Sequence, residues 1–221
     1  MLKIGHRGAR AYEPENTIRS FRKAIELGVD AVELDVRKTK DDGLIVIHDE
    51  EVDMTTDGKG KVGELTMEEI KELQIEKGEE IPTLEEALDF IGRKVKILIE
   101  LKEVGYEDRV LDLVRRKELT DNVILVSFKE EALRRIRELD SEVKTGFIFA
   151  RYRRPLDKAV ELKADYVLSL YHFTHTADVE KAHERGLKVI VWTINKKEDV
   201  EEYVRKGVDG ITSDAPDILS V

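Results

Sequence analysis

Apolar residues in this chain cluster in short runs, and between the runs they recur every three or four positions. Short runs bounded by Gly, Pro or Asp-Gly read as buried strands, and helical recurrence reads as amphipathic helices packed against them. Strands are predicted at 2–5, 29–36, 44–47, 95–101, 122–127, 143–149, 165–170, 187–193 and 209–213. Pro14-Glu15-Asn16-Thr17 opens a helix that Gly28 stops, with Ile18, Phe21, Ala24 and Ile25 as its buried stripe. Further helices are predicted from Pro82-Thr83 to Ile91, at 107–117, 129–139, near 155–163, near 177–185 and at 196–206, with a short one from Pro216.

The pattern weakens between Asp49 and Glu80, where only Thr66 to Leu73 reads as a helix, begun by a Thr66 cap with Glu69 three residues on. This stretch is an excursion from the scaffold. Without it, and without the hairpin strand at 44–47, eight strands alternate with helices, which implies parallel pairing and right-handed crossovers. Eight such units closing on themselves form a TIM (β/α)8 barrel, with a small insertion after the second strand; the competitor is an open, doubly wound sheet. Polar residues decide between them. His6, Glu33 with Asp35, Glu100 with Lys102, Ser127, Ser169, Trp192 with Thr193, and Asp214 all stand at or just past strand C-termini. So many strands reach one spot only in a ring. A single domain over 1–221 is expected.

Composition narrows the function. A net charge of −10 argues against nucleic acid, but a local Arg, Lys or metal can still hold a phosphate. Charged residues are 39% of the chain, against roughly 25% in average proteins, and glutamine occurs once, a bias that suggests a thermophilic source. There is no cysteine, so thiolate metal sites and disulfides are excluded. The first residues lack an apolar signal region, and no apolar run approaches the ~18 residues that span a bilayer. A soluble cytoplasmic protein without stable membrane insertion is expected.

The chemistry centres on Ala31-Val32-Glu33-Leu34-Asp35-Val36. Residues two apart share a strand face, so Glu33 and Asp35 lie side by side with Ala31. Glu100 ends the next barrel strand. Carboxylates so placed repel and lose solvation, and a hard cation (Mg²⁺ or Ca²⁺, with Mn²⁺ possible) relieves both costs. Solvated strand-end acids are the plainer alternative. His6 and His48 flank the acids and titrate in the range suited to proton transfer, or serve as hydrogen-bonded structural residues. Arg7 and Lys102 are fixed cations placed for a phosphate clamp or for ion pairs. Trp192, the only tryptophan, is core or the apolar floor of a small pocket. Arg151, Arg153, Arg154, His172 and His175 lie in later strand–helix loops, as substrate contacts or as solvated residues.

His6-Arg7-Gly8, Pro14-Glu15-Asn16-Thr17, Glu33-Leu34-Asp35-Val36, Asp42-Gly43 and His48-Asp49 together resemble the glycerophosphodiester phosphodiesterase family. Ile81-Pro82-Thr83-Leu84, Glu100-Leu101-Lys102, Trp192-Thr193-Ile194-Asn195 and 207–214 fit the same pattern, so the resemblance spans nearly the whole chain. It implies a TIM barrel with a small insertion and metal-dependent hydrolysis of glycerophosphodiesters to glycerol 3-phosphate and an alcohol. By position, Glu33, Asp35 and Glu100 would hold the metal, His6 and His48 would be the acid–base pair, and Arg7 and Lys102 would contact phosphate. One departure stands out: Met54 precedes Thr55-Thr56 where arginine is common, which puts substrate contacts from the compact insertion in doubt. Two other readings compete, a lysophospholipase D-like or phosphoinositol-type phosphodiesterase and a non-catalytic phosphometabolite-binding barrel.

Overall fold

The computed structural model describes residues 1–220, and in it the short apolar runs form strands. They are β1 (Leu2–Gly5), β2 (Ala31–Lys38), β3 (Leu44–Val46), β4 (Gln74–Ile75), β5 (Glu79–Glu80), β6 (Lys96–Leu101), β7 (Val123–Ser127), β8 (Lys144–Phe149), β9 (Tyr166–Leu170), β10 (Lys188–Trp192) and β11 (Gly210–Ser213). The helices are α1 (Ile18–Glu26), α2 (Met67–Lys71), α3 (Leu84–Ile91), α4 (Glu107–Arg116), α5 (Glu130–Leu139), α6 (Pro155–Glu161), α7 (Thr176–Glu184) and α8 (Lys197–Arg205).

Eight strands pair in parallel in the order β1-β11-β10-β9-β8-β7-β6-β2, and β2 returns to β1, so the ring closes. This is the TIM barrel; the open sheet is excluded. Strand side chains alternate between two cores. Ile4, Ala31, Leu98, Ile124, Leu168 and Ile190 fill the barrel. Val32, Leu34, Val36, Ile97, Ile99 and Leu101 face the helices instead. The alternation read from β2 is therefore correct, and it aims Glu33 and Asp35 inward with Ala31.

Three boundaries differ from expectation for identifiable reasons. α1 starts at Ile18, because Asn16 adopts a left-handed backbone (φ 58°) and Thr17 is the cap, accepting a bond from the Ser20 N–H. Pro14 to Thr17 is a turn, not a helical turn. β2 continues to Lys38 because β3 pairs antiparallel with its end, Val36 opposite Val46. In the 49–80 segment, Thr66 and Glu69 form the expected capping box, but α2 is only Met67–Lys71. The β4–β5 hairpin escaped prediction, since two-residue strands show no periodicity. Ile45, Ile47, Val52, Val62, Ile70, Ile75 and Ile81 form a separate small core beneath this segment.

Tyr106 fixes the loop after β6 to the barrel rim. Its ring is fully buried, its hydroxyl donates to the Val36 carbonyl at 2.7 Å, and it accepts from the Glu103 N–H at 3.2 Å. Tyr106→Phe keeps the packing and leaves that N–H unpaired. The expected cost is about 1–2 kcal/mol, a fall of about 2–8 °C in the thermal midpoint, read by calorimetry.

Candidate active site

The loop after β1 sets the site. Gly8 has φ 84°, and a Cβ there would lie 2.2 Å from Ser20 Oγ, so only glycine fits. Buried Ser20 ties the loop down by donating to the Arg7 carbonyl (2.8 Å) and accepting from the Ala9 N–H (2.9 Å). Arg7 is thereby held in a left-handed conformation (φ 50°), uncommon for a bulky residue and a form of strain typical of functional loops. The twist aims the Arg7 N–H at Glu33 Oε2, 2.8 Å away.

On the neighbouring strands Asp35 is directly opposite Glu100. Carboxylate oxygens of Glu33, Asp35 and Glu100 lie within 4.8 Å of one another. The three residues are only 6%, 1% and 9% exposed. Lys102 Nζ donates to Glu100 at 2.7 Å and to Asp35 at 3.2 Å. Asn16 donates from Nδ2 to Asp35 Oδ2 at 2.9 Å, and its Oδ1 accepts from the Asp35 N–H at 3.3 Å.

The cluster is unevenly balanced. Burial, then the charges of Asp35 and Glu100, push Glu33 well above the usual carboxylate range, and Arg7 offsets this only in part. Burial and Asp35 likewise push Glu100 up to about 7. Burial acts the same way on Asp35, but Lys102, Arg7, His48 and the Asn16 bond outweigh it, so its carboxyl stays below the ordinary value. The two resident cations thus outweigh burial at Asp35 but not at Glu33 or Glu100.

Both histidines carry a carboxylate on Nδ1. His6 meets Asp214 at 2.6 Å and His48 meets Asp49 at 2.8 Å. A carboxylate only accepts, so in the neutral form of each ring Nδ1 would bear the hydrogen and Nε2 the lone pair. Asp214 is itself fixed by Asn195 Nδ2 at 2.7 Å. Burial raises the Asp214 carboxyl, but the bonds from His6 and Asn195 hold it below the usual range. Burial, helped by Lys102 and Arg7, lowers His48 despite the pull of Asp35.

These groups surround one cavity of about 270 Å³ at the barrel mouth. His6, Arg7, Glu33, His48, Glu100 and Lys102 line one side, and Val126, Phe128, Ile148, Leu168 and Trp192 the other. Phe128 meets Trp192 edge to face, with ring centres 5.8 Å apart. Arg7 Nε lies 3.2 Å from Asp35 Oδ2, near enough for an ion pair but not aligned as a hydrogen bond. Among the described residues, Arg7 Nε and Trp192 Nε1 are buried donors without acceptors. Both residues line the cavity together with Lys102, a setting that suits an anionic ligand.

The family model described as "Glycerophosphoryl diester phosphodiesterase family" matches residues 6–218. The chain belongs to this family. It is accordingly an enzyme, a phosphoric diester hydrolase. A "Glycerophosphodiester phosphodiesterase" of Caldanaerobacter subterraneus is 39% identical, over 99% of this chain and 96% of that protein. Among solved structures, a glycerophosphodiester phosphodiesterase from Agrobacterium tumefaciens superposes with TM-score 0.89 at 29% identity, covering 99% of both chains. An Oleispira antarctica phosphodiesterase in complex with the product sn-glycerol-3-phosphate has TM-score 0.89 at 26% identity, covering 98% of this chain and 94% of that one.

All eight residues named from the sequence gather here: seven line the cavity, and Asp35 joins through its bonds to Asn16 and Lys102. The later-loop residues do not. Arg151 and Arg154 border a different cavity, His172 stacks on Tyr171, and the His175 N–H donates to Asp178 at the start of α7. Sequence reasoning gave Asn16, Asn195 and Asp214 no role in the site, naming Asp214 only among the converging strand-end residues, and it missed Phe128. The first three sit inside the motifs that carry the family resemblance, which was the available signal.

Proposed function

We propose that this family member hydrolyses glycerophosphodiesters such as glycerophosphocholine or glycerophosphoethanolamine to glycerol 3-phosphate and an alcohol, the whole chain acting as one catalytic domain. A single divalent cation held by Glu33, Asp35 and Glu100 would assist. The observation that carries this reading is three buried carboxylates within 4.8 Å of one another in a small cavity that Arg7, Lys102 and two histidines also line. An all-oxygen donor set with no sulfur suits Mg²⁺, Ca²⁺ or Mn²⁺.

Bound there, the cation supplies positive charge for the phosphoryl oxygens. The rest falls to side chains. Arg7 and Lys102 offer donors to the same oxygens, which gain charge as the diester is attacked. One imidazole, neutral, takes the proton of the attacking water or glycerol hydroxyl at Nε2, and the other, starting as the imidazolium, gives its Nε2 proton to the departing alkoxide. Asp214 and Asp49 hold the rings so that Nε2 does this work. Trp192, with its free indole N–H, would bound the substrate on the apolar side.

The test is a panel of glycerophosphocholine, glycerophosphoethanolamine, glycerophosphoglycerol and lysophosphatidylcholine, assayed with and without EDTA. Release of glycerol 3-phosphate that EDTA abolishes and Mg²⁺ or Ca²⁺ restores is expected. Cleavage of lysophosphatidylcholine alone would favour the lysophospholipase D-like reading, and binding without turnover the non-catalytic one.

A further inference from the structure

A second cavity, of about 530 Å³, lies outside the barrel wall between α6 and α7. It shares no lining residue with the active-site cavity. The two use opposite faces of the same strands: Ile148 and Leu168 face inward, whereas Phe149 and Val167 face the crevice. Its volume falls within the usual range for small-molecule sites.

Its walls and rim differ in kind. Phe149, Leu156 and Phe173 supply its accessible apolar surface, over a floor of buried Val167 and Val189. Phe173 is 45% exposed at the mouth, large for an aromatic ring. Arg151, Arg154, Lys181 and Arg185 stand around that surface with only Asp157 and Asp178 as acids. Asp157 already serves Arg154 at 2.6 Å and lies 3.6 Å from Arg185. The Asp178 carboxylate accepts from the His175 N–H at 3.0 Å. Arg151 lies 4.9 Å from the centre of the Phe173 ring, and neither it nor Lys181 has a carboxylate partner among the described residues. In a chain of net charge −10, two uncompensated cations over an apolar crevice are a local reversal of sign.

We propose that this crevice binds a single-chain anionic amphiphile, its hydrocarbon tail against Phe149, Leu156 and Phe173, above Val167 and Val189, and its anionic head between Arg151 and Lys181. Inorganic anions would leave the apolar wall wet, and neutral or cationic amphiphiles would leave the rim unpaired. A carboxylate or a phosphate monoester satisfies both, so the head group is defined by charge. The site is independent of the catalytic reading.

The test is binding to the full chain by calorimetry, with submicellar decyl phosphate and decanoate as probes. Decanol, decyltrimethylammonium and inorganic phosphate are controls, and methyl NMR shifts report the location. The expected result is a Kd tighter than about 1 mM for at least one anionic probe. Shifts should fall on Val167 and Val189, and each control should bind at least about tenfold more weakly. Whether decyl phosphate or decanoate binds more tightly identifies the head group. The double variant Arg151→Glu with Lys181→Glu should lose at least about tenfold in affinity while diester hydrolysis is unchanged. Should it fail to fold, Arg151→Ala with Lys181→Ala replaces it. No binding, equal binding of the cationic amphiphile, shifts confined to the barrel mouth, or an unaffected variant would overturn the proposal.

Discussion

Glu33→Gln is expected to lower diester hydrolysis by more than about 100-fold while making the metal-free protein more stable. Loss of a mere outer partner typically costs a metal site 10–100-fold, and Glu33 is proposed as a direct ligand. The stability gain follows from the same geometry. Glu33 is buried beside Asp35 and Glu100, and its one protein hydrogen bond comes from the Arg7 N–H. Glutamine keeps an acceptor for that N–H and removes a repelling charge. Each kcal/mol so relieved raises the thermal midpoint by about 2–4 °C in a chain of this size. A divalent cation at about 100 times its Kd should stabilise the wild type by about 5–10 °C, and the variant far less. A metal-free variant that melts below the wild type would mean the three acids are not in conflict, and the metal assignment would go with it.

The same conflict sets a pH dependence. Glu100 titrates near 4.5 when unfolded and is pushed up to about 7 by burial and Asp35 in the folded chain. Below pH 4.5 both states hold the proton. Between 4.5 and 7 the unfolded chain releases it first, so metal-free stability falls as pH rises through that window. Scanning calorimetry in EDTA across the window, repeated with Mg²⁺, reads both the loss and its reversal.

How much of this was legible in the sequence depends on the length scale of the signal. The ring was legible because polar residues recur at one end of successive apolar runs, from His6 to Asp214. The acid pair was legible because strand side chains alternate, so that Glu33 and Asp35 had to share a face whatever the strand's ends. The contacts of Asn16 and Asp214 were not. Each depends on where a loop crosses the mouth: Asn16 reaches Asp35 only because of its left-handed backbone, and Asp214 meets His6 across 208 residues of chain. Periodicity carries no information on such closures. The β4–β5 hairpin was illegible for another reason, being shorter than the period that would reveal it.

His6→Ala and His48→Ala should each fold normally and lower kcat on glycerophosphocholine by roughly 10²–10⁴. Neither ring is in a core: their side chains are 16% and 32% exposed at the cavity edge, so truncation removes little packing. Each ring instead presents Nε2 with Nδ1 held by a carboxylate, an arrangement that a merely structural histidine does not need. Asp214→Asn separates positioning from proton transfer. Asparagine keeps a hydrogen-bond acceptor for Nδ1 but loses the charge that favours the imidazolium, so kcat should fall less than in His6→Ala, with KM nearly unchanged. Turnover near the wild type in either alanine variant would remove that histidine from proton transfer. A rise in KM without loss of kcat would make it a binding residue instead.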